Sequence, residues 1–221
     1  MFYETKHSSR DFFKSLGLNF NPFKALIVPR PIGWISTIDE NGVANLAPYS
    51  FFNAVSSDPP MLYFSSGGEH EQDGGEKDSL RNIRQNGQFV FNLVSSELTK
   101  VMNDSASPAP RAIDEFEMTG LTKSPSRLVR PPRVAQSPVQ LECTLHQFID
   151  LPPSPSGKSN IMVIGHVVGV HIDENLIVDG RVDILKAQPT ARLGYLDYCN
   201  VTQSFALTRP NWPLEEKPKK S

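Results

Sequence analysis

Six runs of β-branched and aromatic residues set the rhythm of this chain: IGWISTI (32–38), VANLAPYSFFNAV (43–55), MLYFSS (61–66), QFVFNLV (88–94), VQLECTLHQFI (139–149) and NIMVIGHVVGVHI (160–172). Each is bounded by turn chemistry, which predicts strands. The link Asp39-Glu40-Asn41-Gly42 between the first two is a hairpin signal, because Asn-Gly readily takes the positive φ of a tight turn, so those strands are expected to be antiparallel neighbours. Helical patterning is confined to 78–85, closed by Asn86-Gly87, to 96–103, and to a turn around 114–118. Residues 104–138 are too rich in Pro, Ser and Arg for regular structure and are expected to form a long excursion over the body of the protein or a neighbouring subunit. The tail from Arg209 reads as extended. No strand-helix alternation or internal repeat supports a parallel doubly wound sheet, so the predicted class is mainly β, an antiparallel barrel with a few short helices.

One stretch resists that pattern. ANLAPYSFF (44–52) is apolar enough to pack, yet Asn45 and Pro48 interrupt it where a central strand wants β-branched side chains and backbone donors.

With 221 residues, 38% hydrophobic and 21% charged, the chain has material for one sizeable core and reads as a single domain over 1–221, its core at about 20–210. Its 22 basic and 24 acidic residues leave a net charge of −2, which gives no bulk electrostatic case for nucleic acid or an anionic membrane surface. The start, MFYETKHSSR, lacks the apolar stretch of a signal peptide, and the most hydrophobic run, IMVIGHVVGV, falls short of the roughly 20 residues that span a bilayer. A cytoplasmic protein is expected. Cys143 and Cys199 lack CxxC spacing and read as free thiols, and the sequons at Asn103 and Asn200 would matter only in a secreted protein.

Several motifs fall away. Gly157-Lys158-Ser159 looks like the end of a phosphate-binding loop, but Pro152 stands where its first glycine belongs. The five histidines show no HExxH or HxxxH spacing, and His166 and His171, five apart in a strand, point to opposite faces, so metal binding is unsupported. Neither a GxSxG elbow nor a strand followed by GxGxxG is present. What remains is a set of small polar residues in apolar strands: Trp34, Ser36, Thr37, Asn45, Ser50, Ser65 and Ser66, then Lys77-Asp78-Ser79 opening a helix. Taken singly, each has a structural explanation, as a strand-end hydroxyl, a packed tryptophan or a helix cap at Asp78. Taken together, Lys77, Asp78 and Ser79 supply a cation, a capping residue and a hydroxyl at a helix N-terminus, where free N–H groups and the helix dipole favour an anion such as a phosphate.

The run RPIGWISTIDENGVANLAPYSFFNAVSSDPPMLYFSS, followed by KDSLRNIRQNGQFVFNLV, resembles the flavin reductase-like family of FMN-binding split-barrel proteins, which includes flavoredoxins and flavin reductases. DEFEMTGLT, PRVAQSPVQLEC and DGRVDILKAQPTARLGY carry the same resemblance, which spans most of residues 20 to 210. It implies a six-stranded antiparallel Greek-key split barrel, a homodimer, and FMN bound near the subunit interface. It also gives the awkward stretch a purpose: Pro48 can end the ladder locally and free neighbouring amides, so that Asn45, Leu46, Ala47 and Pro48 edge the isoalloxazine. By similarity Ser36, Thr37 and Ser50 line the same pocket, Phe51 or Trp34 shields the ring, Ser65 lies near the ribityl chain, and Lys77 and Ser79, beside Asp78, hold the phosphate. Arg192 in ARLG resembles a family arginine near the flavin, with an interface salt bridge as its structural alternative.

The resemblance implies an oxidoreductase in which NADH or NADPH gives hydride to FMN, while polar groups at the ring's edge stabilise the developing negative charge and no side chain acts as acid or base. Electrons then pass to free flavin, a redox partner protein or a small acceptor. An FMN-binding electron carrier of the flavoredoxin type, without nicotinamide activity of its own, shares every residue named, and a cofactor-free barrel is the third reading. Two departures stand out: the acidic insertion GGEHEQDGGE (67–76) just before Lys77, where repulsion of a phosphate depends on which way the loop turns, and Gly194-Tyr195 where the family carries a glycine pair.

Overall fold

The computed structural model describes residues 1–7, 9–154 and 157–212. Its body is one antiparallel seven-stranded sheet. The strands are β1 (Gly33–Ile38), β2 (Ala44–Tyr49), β3 (Phe52–Ser57), β4 (Pro60–Gly67), β5 (Gln88–Asn92), β6 (Val139–Leu151) and β7 (Asn160–Ile172). Their hydrogen-bonded order is β2-β1-β5-β6-β7-β4-β3. The count exceeds the expected six because the run 43–55 is not one strand: it breaks at Ser50-Phe51 into β2 and β3.

That break governs the architecture. β2 and β3 are separated by two residues in the chain yet stand at opposite edges of the sheet, so the sheet curls until its edges meet. The closure is made by chain and side chains, not by a ladder, which is what splits the barrel. Across the seam Phe52 lies against Gly33, where a Cβ would come within 2.5 Å of the ring, and Phe52 stacks on Phe91 at 4.8 Å between centroids. Only a glycine in β1 leaves room for that aromatic pair.

The hairpin between β1 and β2 forms as its sequence predicts. Gly42 takes φ 88°, and the Asp39 carboxylate accepts from the amides of Asn41 and Val43 at 2.9 and 2.8 Å.

Among the described residues there are five α-helices: α1 (Arg10–Ser15), α2 (Phe23–Leu26), α3 (Asp78–Asn86), α4 (Thr99–Asp104) and α5 (Glu115–Thr119). The periodicity of the N-terminal segment does not announce the first two. α3 ends at Gly87, whose φ of 68° closes it in the left-handed region. Its apolar face, Leu80 and Ile83, plugs the barrel interior among Ile35, Phe64, Phe89 and Cys143.

A second core lies on the outer face of β1 and β2. There Trp34, Ala44 and Leu46 are covered by Met102 of α4 and by Phe116 and Val134 from the excursion. This stretch is more regular than its composition implies, carrying α5 and a two-residue strand pair, Lys123-Ser124 with Arg133-Val134. Both faces of β1 are therefore buried, as its residues from Gly33 to Thr37 show. Residues 190–192 pair with Arg30-Pro31 on one side and 198–200 on the other, in a small sheet beside the seam. The described part of the tail, 209–212, has no regular structure, and the rest of the segment expected to be extended lies outside the described residues.

Gly165 in β7 offers a test of the interior. A Cβ there would meet the Phe89 ring at 2.5 Å and the Thr144 carbonyl at 3.2 Å. Gly165→Ala should cost about 1–3 kcal/mol through overpacking, read as a lower denaturant midpoint at unchanged slope. A wild-type midpoint would mean that the Phe89 ring moves aside freely.

Candidate functional site

The unusual strand ANLAPY is explained by its position. β2 is an edge strand, so the backbone groups on one of its sides have no ladder partner. The Leu46 amide points out that way and donates to Glu115 Oε2 at 2.9 Å. Pro48, two residues on and opposite Trp34, shares that outward orientation and lacks a donor only where the sheet asks for none.

Residues on the other face of β2 build a polar cluster with α3. Asn45 Nδ2 donates to Ser79 Oγ at 2.9 Å and to Thr37 Oγ1 at 3.3 Å, and Asn82 Nδ2 donates to the same Thr37 oxygen at 3.0 Å. Sequence spacing alone could not show that Asn45 and Ser79, 34 residues apart, are bonded.

Two cavities flank Pro48. The first, of about 240 Å³, is lined by Asn45, Ala47, Pro48 and Tyr49 of β2, by Lys77, Asp78 and Ser79 at the start of α3, and by Glu69, His70, Glu71, Glu115 and residues 105–109. The second, of about 420 Å³, shares Pro48 and Ala106 with it and continues past Ser50 to Lys24, Arg30, Arg192, Tyr195 and Tyr198.

Lys77 occupies the N-cap position of α3 and makes no side-chain cap. The first amides of the helix are thus left to whatever enters the cavity. Asp78 is not the cap. Its carboxylate is held by Arg111 Nη1 and by His70 Nε2, the latter at 3.0 Å. Arg111 also donates to the carbonyls of Gly74 and Glu76 at 2.7 and 2.8 Å, while its amide donates to Asp73 at 3.0 Å. The acidic insertion is therefore drawn in and tied down, with Glu69 and Glu71 facing the cavity. Nothing in the sequence pairs Arg111, in an irregular stretch, with that loop.

The remaining expected site residues are distributed differently. Trp34 is fully buried and donates its indole N–H to Ser105 Oγ at 2.9 Å. Ser36, equally buried, donates to the Pro132 carbonyl at 2.6 Å, and Thr37 serves as the acceptor described above. Leu46 is core, contributing only its amide to Glu115. All four line neither cavity, because both faces of β1 and the outer face of β2 are covered. Of the two candidate ring shields, only Phe51 is accessible, at 41% exposure, with Lys24 and Arg30 5.8 and 5.9 Å from its ring centre. Ser65 also lies outside both cavities, its amide bonded to the Phe51 carbonyl at 2.8 Å. Arg192 belongs to the second cavity, apart from Lys77, and stacks 4.3 Å over Tyr198. Tyr195, in place of a glycine, forms part of that cavity's wall with a left-handed φ of 54°.

Glu115 lies inside the DEFEMTGLT motif but carries no signal of its role there. It is 7% exposed, and burial pushes its carboxyl up to about 7, seconded by Asp78 and Asp114 and opposed by the amides that donate to it. Burial likewise raises the Tyr49 hydroxyl above its ordinary range.

The model of the flavin reductase like domain matches residues 25–185. A protein of Halalkalibacterium halodurans is 33% identical over 192 residues, covering 87% of this chain and 91% of its own. Among solved structures, nitrilotriacetate monooxygenase component B from Bacillus cereus superposes with a TM-score of 0.81 at 27% identity, over 94% of this chain and 98% of that one. The 2-nitrobenzoate 2-nitroreductase NbaA from Pseudomonas fluorescens does so at 0.78 and 29%, over 96% and 98%. The chain belongs to the flavin reductase-like family, flavin-related oxidoreductases built on the split barrel.

An acid whose folded pKa lies above its unfolded value holds its proton more tightly when folded, so stability is lost as pH rises between the two. For Glu115 that window runs from the ordinary 4.5 to about 7. Glu115→Gln keeps an acceptor for Leu46 and removes the titration. Thermal midpoints of variant and wild type, compared from about pH 5 to pH 8, should shift in the variant's favour as pH rises. A pH-independent difference would place this carboxyl at an ordinary value.

Proposed function

We propose that this chain binds FMN along the two cavities and acts, as a homodimer, as an NAD(P)H-dependent flavin reductase. The observation that carries the reading is the uncapped start of α3, where Lys77 and Ser79 open onto a cavity that continues past Pro48 into a second, cationic one. The donor set fits the group. Asp78 would oppose a phosphate, but Arg111 pairs with its carboxylate and His70 lies 3.0 Å from it, so Lys77 and the free amides of the first turn are left to hold a dianion. Asn45 and Ala47, on the face of β2 that looks into the cavity, would contact the flavin, and Pro48 would mark the passage between its two ends.

FMN would supply the redox chemistry, taking up hydride from a reduced nicotinamide and passing electrons to an acceptor. The chain's part is to bind, orient and shield. Tyr195 limits access at the second cavity, Phe51 lies outside both cavities beside Lys24 and Arg30, and the tied-down insertion covers the first. The Leu46 amide, engaged by Glu115, keeps the edge strand fixed beneath the site. Relatives whose names read as a monooxygenase component and a nitroreductase support electron delivery to an acceptor beyond the flavin.

Lys77→Ala should weaken FMN binding by about 10- to 100-fold and riboflavin hardly at all, because only FMN carries the phosphate, as read by quenching of flavin fluorescence. Equal losses for the two ligands would put Lys77 elsewhere. The FMN-loaded protein should oxidise NADH or NADPH faster than FMN alone at the same concentration. Saturable FMN binding without that acceleration would favour an electron carrier instead.

A further inference from the structure

The second cavity differs from the first in its charge. Lys24, Arg30 and Arg192 line it, and none of its lining residues is an aspartate or glutamate. Among the described residues, none of these three cations has a carboxylate partner. Arg30 is only 6% exposed. Its Nη atoms donate to the carbonyls of Lys24, Ile27 and Leu193, whereas its Nε has no hydrogen-bond partner among the described residues. A buried guanidinium beside a second one, with a donor left over, is costly unless an anion completes it. Burial and the nearness of Arg192 both act to lower its pKa, consistent with a missing counter-charge.

Backbone geometry presents the second arginine to the same space. Arg192 lies over Tyr198, 4.3 Å from its ring centre, and donates to the carbonyl of Tyr195, which has a left-handed φ. A planar, oriented guanidinium suits a two-oxygen anion better than a bare point charge does.

We propose that the second cavity is a subsite for an oxyanion of a reactant: the phosphate of the dinucleotide donor or the carboxylate of an organic acceptor. Assigning that oxyanion to a reactant rests on the flavin reading above; the anion site itself does not.

Calorimetric titration of the purified protein, with and without FMN, tests it, using benzoate, its neutral isostere benzamide, and ADP-ribose as probes. Arg30 is left unchanged, because it ties three carbonyls together. Benzoate or ADP-ribose should bind saturably, with benzamide at least about tenfold weaker than benzoate wherever benzoate binds, and Arg192→Met should weaken the bound anion at least about tenfold. Lys24→Gln, at a more exposed position, should cost less and serves if Arg192→Met does not fold. Displacement of benzoate by ADP-ribose, or binding of ADP-ribose alone, supports a dinucleotide phosphate; benzoate binding that ADP-ribose leaves untouched supports an acceptor carboxylate. The proposal is overturned by benzoate and benzamide binding alike, by neither anion binding, or by both variants matching wild type. It is overturned too if Arg192→Met lowers affinity for FMN but not riboflavin, which would seat the flavin's own phosphate there. Anion binding retained by a protein that takes up no FMN would keep the oxyanion site and remove the flavin reading.

Discussion

Two residues, Ser50 and Phe51, carry the chain from one edge of the sheet to the other, and the rest of the structure follows from that short span. A sheet whose first and last strands are joined so tightly cannot stay open, so it must curl until β2 and β3 are neighbours in space without being neighbours in the ladder. The interior then fills with the aromatic pairs Phe52–Phe91 and Phe64–Phe89, and glycines at Gly33 and Gly165 make room where rings cross strands. The same closure leaves the outward backbone of β2 unpaired at the seam. Pro48 is tolerated there, Glu115 takes the Leu46 amide, and the cavities open on either side.

The two cavities share a wall and divide the charge. In the first, carboxylates of Glu69, Glu71, Asp78 and Glu115 surround a single lysine, but they are not equivalent. Asp78 is compensated by Arg111, and burial raises the Glu115 carboxyl to about 7 by disfavouring its charge. The cation at the helix start therefore keeps more influence than a count of charges implies. In the second cavity the balance runs the other way, with three cations and no acid. The proposed ligand, with a phosphate at one end and a reactant at the other, would match that division.

The excursion over residues 104–138 links the two functions of packing and site building. Its Phe116 and Val134 cover Trp34 and Leu46, while Ser105, Arg111 and Glu115 go to the cavity and its rim. Trp34 is thus a core residue held by Ser105, and the insertion at 67–76 is anchored from a segment that composition alone marks as irregular. Coupling between core and cavity runs through these shared residues, so a change in the excursion is felt by both.

Most strands, the β1–β2 hairpin and the α3 helix with Gly87 as its stop were legible in the sequence, because each is a local matter of periodicity, turn chemistry or capping, whereas the break of 43–55 into two strands was not. Family membership was legible too, because ordered motifs recur along most of the chain. The sequence could not say which face of β1 is solvated: Trp34, Ser36 and Thr37 read as pocket residues but are enclosed, since a distant segment folds over them. Nor could it reveal the Arg111 clamp, the raised pKa of Glu115 or the pairing of Arg30 with Arg192, which depend on contacts across many tens of residues. Local patterns determine which elements form, while burial and charge at a site depend on what the curled sheet brings together, and only the tertiary structure decides that.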